Sequence, residues 1–203
     1  MLALADKQLK VPNLYIISGC NGAGKTTASF TILPEILNCK EFVNADEIAK
    51  GLSPFQPESV SFHAGRIMVE RIDELLENGV DFAFETTLTT LSYVNTIKEA
   101  RKKSYTVTLL YFWLNDVNLA IERVRTRVSE GGHNIPEEVI KRRFFRGIYN
   151  LTNKFTSICD YWIVINNSSR PFTFVAEGQG AEGLRIHDEM IWQQIKTQTD
   201  EKK

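Results

Sequence analysis

The sequence predicts an α/β fold, a mostly parallel sheet covered by helices on both faces. Three observations point to it. Short apolar runs alternate along the chain with longer helix-compatible segments. The first run ends in a glycine-rich turn that opens a helix. Val60, Ala64, Ile67, Met68, Ile72, Leu75 and Leu76 fall near one helical face, the stripe of a helix packed on a core. A chain of 203 residues, 43% apolar and 24% charged, suits a single domain spanning 1–203 with a sizeable core.

Taken in order, Leu14 to Ser18 reads as the first strand, and a helix follows from Lys25 to about Leu37. A second strand is expected over Glu41 to Asn44, a long helix over Ser59 to Asn78 stopped by Gly79, and a third strand over Asp81 to Glu85. Next come a helix from about Ser92 to Lys102, a strand from Thr106 to Trp113, and helices over Val117 to Val128 and Pro136 to Phe155. Tyr161 to Ile165 closes the series as a strand. In the C-terminal extension, about 169–203, Phe172 to Ala176 suggests an added edge strand and Ile186 to Lys196 a terminal helix. Ser168 to Gly183 is rich in loop residues, and Thr197 to Lys203 resembles a frayed end.

Formal net charge is −1, so no overall basic field recommends nucleic acid or an anionic membrane, and no apolar run is long enough to span a bilayer. Met1 to Pro12 lacks the continuous apolar stretch of a secretory signal. Cys20, Cys39 and Cys159 are odd in number and form no CxxC pair, which reads as reduced thiols in a cytoplasmic chain. His63, His133 and His187 show no metal-ligand spacing.

Gly19-Cys20-Asn21-Gly22-Ala23-Gly24-Lys25-Thr26 meets the Walker A pattern at every required position, after a strand and before a helix. Its glycines let backbone N–H groups curl around a phosphate, and the helix that follows turns its positive end to the same anion. Gly19, Asn21, Gly22, Ala23, Gly24, Lys25, Thr26 and Thr27 are therefore the candidate nucleotide-binding residues. Lys25 reaches β- and γ-phosphate oxygens in such loops, and the Thr26 hydroxyl is placed for Mg2+. ATP or GTP binding follows.

Two carboxylates lie on the same sheet edge. Asp46 follows the second strand, where it can take a proton from an attacking hydroxyl, cap the Glu47 to Gly51 turn, or do both. Glu85 ends the run Phe82-Ala83-Phe84, a position from which a carboxylate addresses magnesium, directly or through water, or a substrate hydroxyl. Capping the next loop is the alternative. Thr86 and Thr87 extend this edge with two hydroxyls.

Arg123 and Arg127 share the helical face opposite the Val117, Ile121, Val124 and Val128 stripe. In the next helix Arg142 and Arg146 lie opposite Ile140, Phe144, Ile148, Leu151 and Phe155, with Arg143 at the flank. These basic faces bracket the loop Ser129 to Pro136, whose Gly131 and Gly132 can hinge. A hinged, arginine-flanked segment, about 127–146, reads as a short helical lid over transferring phosphate. The alternative is a solvated face paired with Glu122, Glu130, Glu137 and Glu138. His133 is either a substrate contact of that lid or a plain loop residue.

Together, Gly19 to Thr26, Asn44-Ala45-Asp46, Phe84-Glu85-Thr86-Thr87 and the Arg127 to Arg146 segment resemble the zeta-toxin-like P-loop kinase family over roughly residues 13–170. Asp160-Tyr161-Trp162 and Asn166-Asn167-Ser168 extend the likeness, although Asp-Asn-Ser is more usual at the second site. The resemblance implies a nucleoside-monophosphate-kinase-like fold and ATP- and Mg2+-dependent transfer to a hydroxyl. Lys25, Asp46, Arg127 and Arg143 would be catalytic, with Asp46 as the base. Asp46, Glu85, Thr86, His133, Arg142 and Arg146 would meet the substrate. Founding members phosphorylate the 3′-hydroxyl of the sugar of UDP-N-acetylglucosamine and are restrained by a small antitoxin. A kinase for another alcohol, nucleoside or antibiotic, and a nucleotide-dependent switch or nucleic-acid repair component, are the competing readings.

Overall fold

The computed structural model of the protein describes residues 11–132, 134–180 and 182–198. His133 and most of Thr197 to Lys203 lie outside the described residues, as do Met1 to Lys10. Within them a seven-stranded sheet runs in the order β2-β3-β1-β4-β5-β6-β7. The strands are β1 (Asn13–Gly19), β2 (Glu41–Val43), β3 (Phe82–Thr86), β4 (Thr106–Trp113), β5 (Tyr161–Asn166), β6 (Thr173–Gln179) and β7 (Glu182–Ile186). The first five in spatial order are parallel, and β6 and β7 add antiparallel strands beside β5.

Leu14 to Gly19 of β1 are all buried, so both faces of the central strand are covered, as expected of a parallel sheet. The helices that cover it are α1 (Lys25–Thr31), α2 (Ala45–Leu52), α3 (Ser61–Asn78), α4 (Tyr93–Lys102), α5 (Val117–Ser129), α6 (Glu137–Asn150), α7 (Thr156–Ile158) and α8 (Glu189–Thr197). α3 turns Ala64, Met68, Ile72, Leu75 and Leu76 inward and ends at Gly79, whose φ of 63° is the left-handed cap the sequence suggested. No helix among the described residues is long and apolar enough to cross a membrane.

Several expected boundaries change for local reasons. The helix from Lys25 widens into a π turn over Ile32–Ile36, where Pro34 has no N–H to give the regular ladder. The helix expected to reach Phe155 passes into a second π turn at Leu151–Phe155. The segment after Asn44 is an eight-residue helix rather than a short turn, and its N-cap is Asn44, not Asp46: the Asn44 side chain accepts from Asp46 N and Glu47 N. Phe172 to Ala176 was expected at the sheet edge. The strand there, β6, is internal, and β7 takes the edge. Ile186 accordingly ends a strand, and the terminal helix begins three residues later, behind the Asp188 cap.

Candidate active site

Chain order reverses around β1: the chain leaves it for β2, returns through β3 on the same side, then crosses to β4 on the other. The crevice at the carboxyl ends of such strands is where ligands lodge in open α/β sheets. The Gly19 to Thr26 loop fills it. Gly24 has φ 83°, and a Cβ there would lie 2.5 Å from Asn167 Nδ2, so backbone conformation and packing both require glycine. At Gly19 a Cβ would meet the Phe112 carbonyl at 2.3 Å.

Residues far away in the chain hold the loop's shape. Asn167, just past β5, donates from Nδ2 to Ala23 O at 2.8 Å. Arg123 of α5 donates to the carbonyls of Asn167 (2.9 Å), Ser168 (3.0 Å) and, at the limit, Gly22 (3.5 Å). Asn166 accepts from the Ser168 hydroxyl (2.6 Å) and amide (3.0 Å), fixing the turn that presents Asn167. Arg123 is thus a clamp between the loop and the end of β5 rather than part of an open basic face. Cys20, second in the loop, is fully enclosed; burial pushes its thiol up to about 11 despite the nearby Lys25 and Arg123, so it stays protonated and unreactive at neutral pH.

Glu85 is the centre of the site. Its Oε2 accepts from the Thr26 hydroxyl at 2.7 Å and from Asn44 Nδ2 at 2.9 Å, while Oε1 lies 3.4 Å from Lys25 Nζ. Lys25 also donates to Cys20 O at 2.9 Å. Parallel pairing of Val43 with Phe84 places Asn44 beside Glu85, which is why two segments 41 residues apart meet here. Asp46 follows in the first turn of α2, half-buried.

The turn after Glu85 is held in an unusual shape. Leu88 is in the left-handed region at φ 59°, fixed by Thr86 Oγ1, which accepts from Leu88 N, and by Asn150 Nδ2, which donates to Leu88 O. The Thr86 hydroxyl, expected at the substrate rim, is therefore used inside the turn. Thr87 and Thr89, 3.0 Å apart through their hydroxyls, stand next to it. Gly147 of α6 lies against Thr87 O, where a Cβ would come within 2.8 Å.

α6 thereby approaches the loop as well. Arg143 Nη1 donates to Asn21 Oδ1 at 3.0 Å. Burial lowers the Arg143 pKa; the nearby Asp46 carboxylate opposes that shift and Arg142 reinforces it. Arg142 and Arg146 are exposed, and Arg146 sits 5.6 Å over the Tyr149 ring. Of the acids named as partners for this face, Glu137 pairs with Arg125 and Glu138 with Lys141. Arg127 closes α5 against Gly132, whose amide donates to the Arg127 carbonyl at 2.8 Å. Thr27 is exposed on α1. Asn44 and Asn167 stand within motifs legible in the sequence but received no role of their own there, and Arg125 was not singled out. For Asn44 the signal was the Asn-x-Asp start of a helix.

The sequence matches the Zeta toxin family over residues 3–170. An uncharacterized protein of Haemophilus influenzae is 29% identical over 126 residues, covering 62% of this chain and 88% of that one. Among solved structures, AvrRxo1-ORF1:-ORF2 with ATP superposes with a TM-score of 0.71 at 16% identity, over 91% of this chain; the chain spans only 63% of that neighbour's length. The PezAT chromosomal toxin-antitoxin system of Streptococcus pneumoniae gives a TM-score of 0.64 at 17% identity, over 98% of this chain and 91% of that one. At these identities the two structures speak for the fold, which is that of a P-loop kinase. With the match running over most of its length, the chain belongs to the Zeta toxin family.

Proposed function

We propose that this protein is an ATP- and Mg2+-dependent phosphotransferase that acts on a hydroxyl of a small molecule, with the sugar 3′-hydroxyl of UDP-N-acetylglucosamine as the first acceptor to test. One observation carries the reading: Glu85 gathers Lys25 and Thr26 from the nucleotide side and Asn44 from the helix that bears Asp46. A nucleotide switch needs the loop but has no use for an acceptor-side carboxylate. The family and the ATP-bound neighbour support nucleotide binding.

The Thr26 hydroxyl and the Glu85 carboxylate are hard oxygen donors 2.7 Å apart. No group of three or more His, Cys, Asp or Glu able to hold a metal occurs among the described residues. One or two protein oxygens completed by phosphates is the set magnesium takes. Bound there, it would neutralise charge on the phosphates. Lys25 then leaves Glu85 for the phosphates, Asp46 orients the acceptor and takes its proton, and Arg143, with Arg127, neutralises the moving phosphate. Ile140, Phe144 and Ile148 anchor α6 in the core, so any lid movement within 127–146 falls before that helix, toward Gly131 and Gly132. Arg142 and Arg146 are left to meet an anionic part of the acceptor.

A small antitoxin partner belongs to the proposal on the strength of the PezAT neighbour. The cytoplasm is the proposed compartment, which suits three buried free thiols. The test is transfer of labelled γ-phosphate from Mg–ATP to a panel of UDP-sugars, nucleosides and aminoglycosides, beside Lys25→Ala and Asp46→Ala. Label on UDP-N-acetylglucosamine that both variants abolish is the expected result. Label on another acceptor keeps the kinase and replaces the substrate; tight ATP binding with no transfer to any acceptor moves the assignment to a nucleotide-dependent switch.

A further inference from the structure

We infer that Asn44 is a positioning residue that ties the helix bearing Asp46 to the magnesium-side carboxylate Glu85, so that the two halves of the site move as one. The side chain is 5% exposed and uses both ends of its amide. Oδ1 accepts from Asp46 N (2.8 Å) and Glu47 N (3.3 Å), and Nδ2 donates to Glu85 Oε2 (2.9 Å). The orientation is fixed by chemistry: a flipped amide would set an NH2 against two N–H donors and an oxygen against a carboxylate.

Aspartate or serine would cap α2 equally well. Neither can also give a hydrogen bond to Glu85, since a carboxylate has no donor and a serine hydroxyl lacks the reach. Asparagine alone among the common caps does both jobs. A carboxylate held by Thr26 on one side and Asn44 on the other has its direction set before any ligand arrives, and a shift of the first turn of α2 is passed to it through one rigid amide. The inference rests on the reading that Thr26 and Glu85 form the magnesium side.

The test is binding of Mn2+, read by electron paramagnetic resonance, to the full chain with a non-hydrolysable ATP analogue and no acceptor, for wild type, Asn44→Ser, Asn44→Asp, Glu85→Gln and Asn44→Ser/Glu85→Gln. Both Asn44 variants keep the cap; Asn44→Ser should melt close to wild type while binding Mn2+ about tenfold more weakly, the loss of one charge-assisted hydrogen bond. Asn44→Asp sets a second carboxylate against Glu85 and should melt below Asn44→Ser. In the double variant the Asn44 change should add nothing to that at Glu85. Wild-type affinity in Asn44→Ser, additive losses in the double variant, or an Asn44→Asp that melts no lower than Asn44→Ser would each reduce Asn44 to a helix cap and overturn the inference. If Glu85→Gln binds the metal as wild type does, the magnesium-side reading itself falls, an outcome distinct from failure at Asn44 and independent of any acceptor.

Discussion

Changing Glu85 to Gln removes one charge and leaves the shape, and the structure gives that change opposite signs with and without metal. Without nucleotide, Lys25 is 6% exposed and has two partners, Glu85 and the Cys20 carbonyl. Removing the carboxylate leaves an ammonium with one neutral acceptor. Losing one member of a buried pair costs about 3–5 kcal/mol; the remaining carbonyl and the open mouth of the loop bring the expectation for the free protein nearer about 2 kcal/mol. With nucleotide but no metal, the phosphates supply the charge Lys25 has lost and no longer meet a carboxylate. A unit charge about 6 Å away in a medium of effective dielectric about 20 contributes about 3 kcal/mol. Screening at a partly open site halves this, so metal-free ATP should bind Glu85→Gln about tenfold more tightly than wild type. With Mg2+ the order reverses, because a ligand of the metal or of its waters is gone. Calorimetric titration of ATP in EDTA and in Mg2+ reads both signs. If the variant binds metal-free ATP no better than wild type, Glu85 does not face the phosphates, and the site's electrostatic scheme is wrong.

Asp46→Asn should cut turnover by about 10²–10⁴ while leaving ATP affinity and melting temperature near wild type; near-normal turnover on the true acceptor would remove the base assignment. Gly24→Ala forces a side chain into φ 83° and against Asn167 Nδ2 at 2.5 Å, at a cost of about 2–3 kcal/mol from backbone strain and the displaced Asn167 bond, measurable by urea unfolding, with ATP binding lost as well. The third expectation concerns alkaline pH. Burial raises the thiols of Cys20 and Cys159 from 9.0 to about 11 and about 12, so above pH 9 the unfolded chain ionises them first. Folded-state stability is then complete below pH 9 and falls as pH rises toward 11 and 12, by about 1.4 kcal/mol per pH unit for each thiol. Urea midpoints from pH 8 to 10.5 check this, and Cys20→Ser/Cys159→Ser should flatten the fall.

The strands that a reader of the sequence can place are those buried on two faces. Thr106 to Trp113 holds a continuous run of apolar and aromatic residues because helices cover both of its sides, and its limits were legible to the residue. β7 lay beyond reach for the opposite reason. At the sheet edge four of its five residues are exposed, so Glu182-Gly183-Leu184-Arg185-Ile186 shows no apolar run, and its pairing partner supplies the order. The helix after Asn44 was under-read because its hydrophobic positions are few and its cap was placed two residues late.

The site divides along the same line between local and non-local constraint. The phosphate loop was legible because its requirements are met by neighbours in sequence, glycines where φ is positive and a lysine and threonine at the start of a helix. Glu85 and Asn44 were legible as residues but not as a pair, since what joins them is the register of β2 on β3. The arginines show the limit most sharply. Arg123 and Arg127 are one turn apart on one face, and spacing assigns them the same role. The structure separates them through one close approach: Gly22 packs so near α5 that a Cβ would meet the Ala120 carbonyl at 2.7 Å, with Arg123 Cβ at 3.3 Å. At that distance the Arg123 guanidinium can reach past the loop and bind the carbonyls at the end of β5, whereas Arg127, a turn further on, packs against Gly132 after the helix end. A helix face identifies which residues are candidates for phosphate; the depth at which the helix docks decides which of them become scaffold.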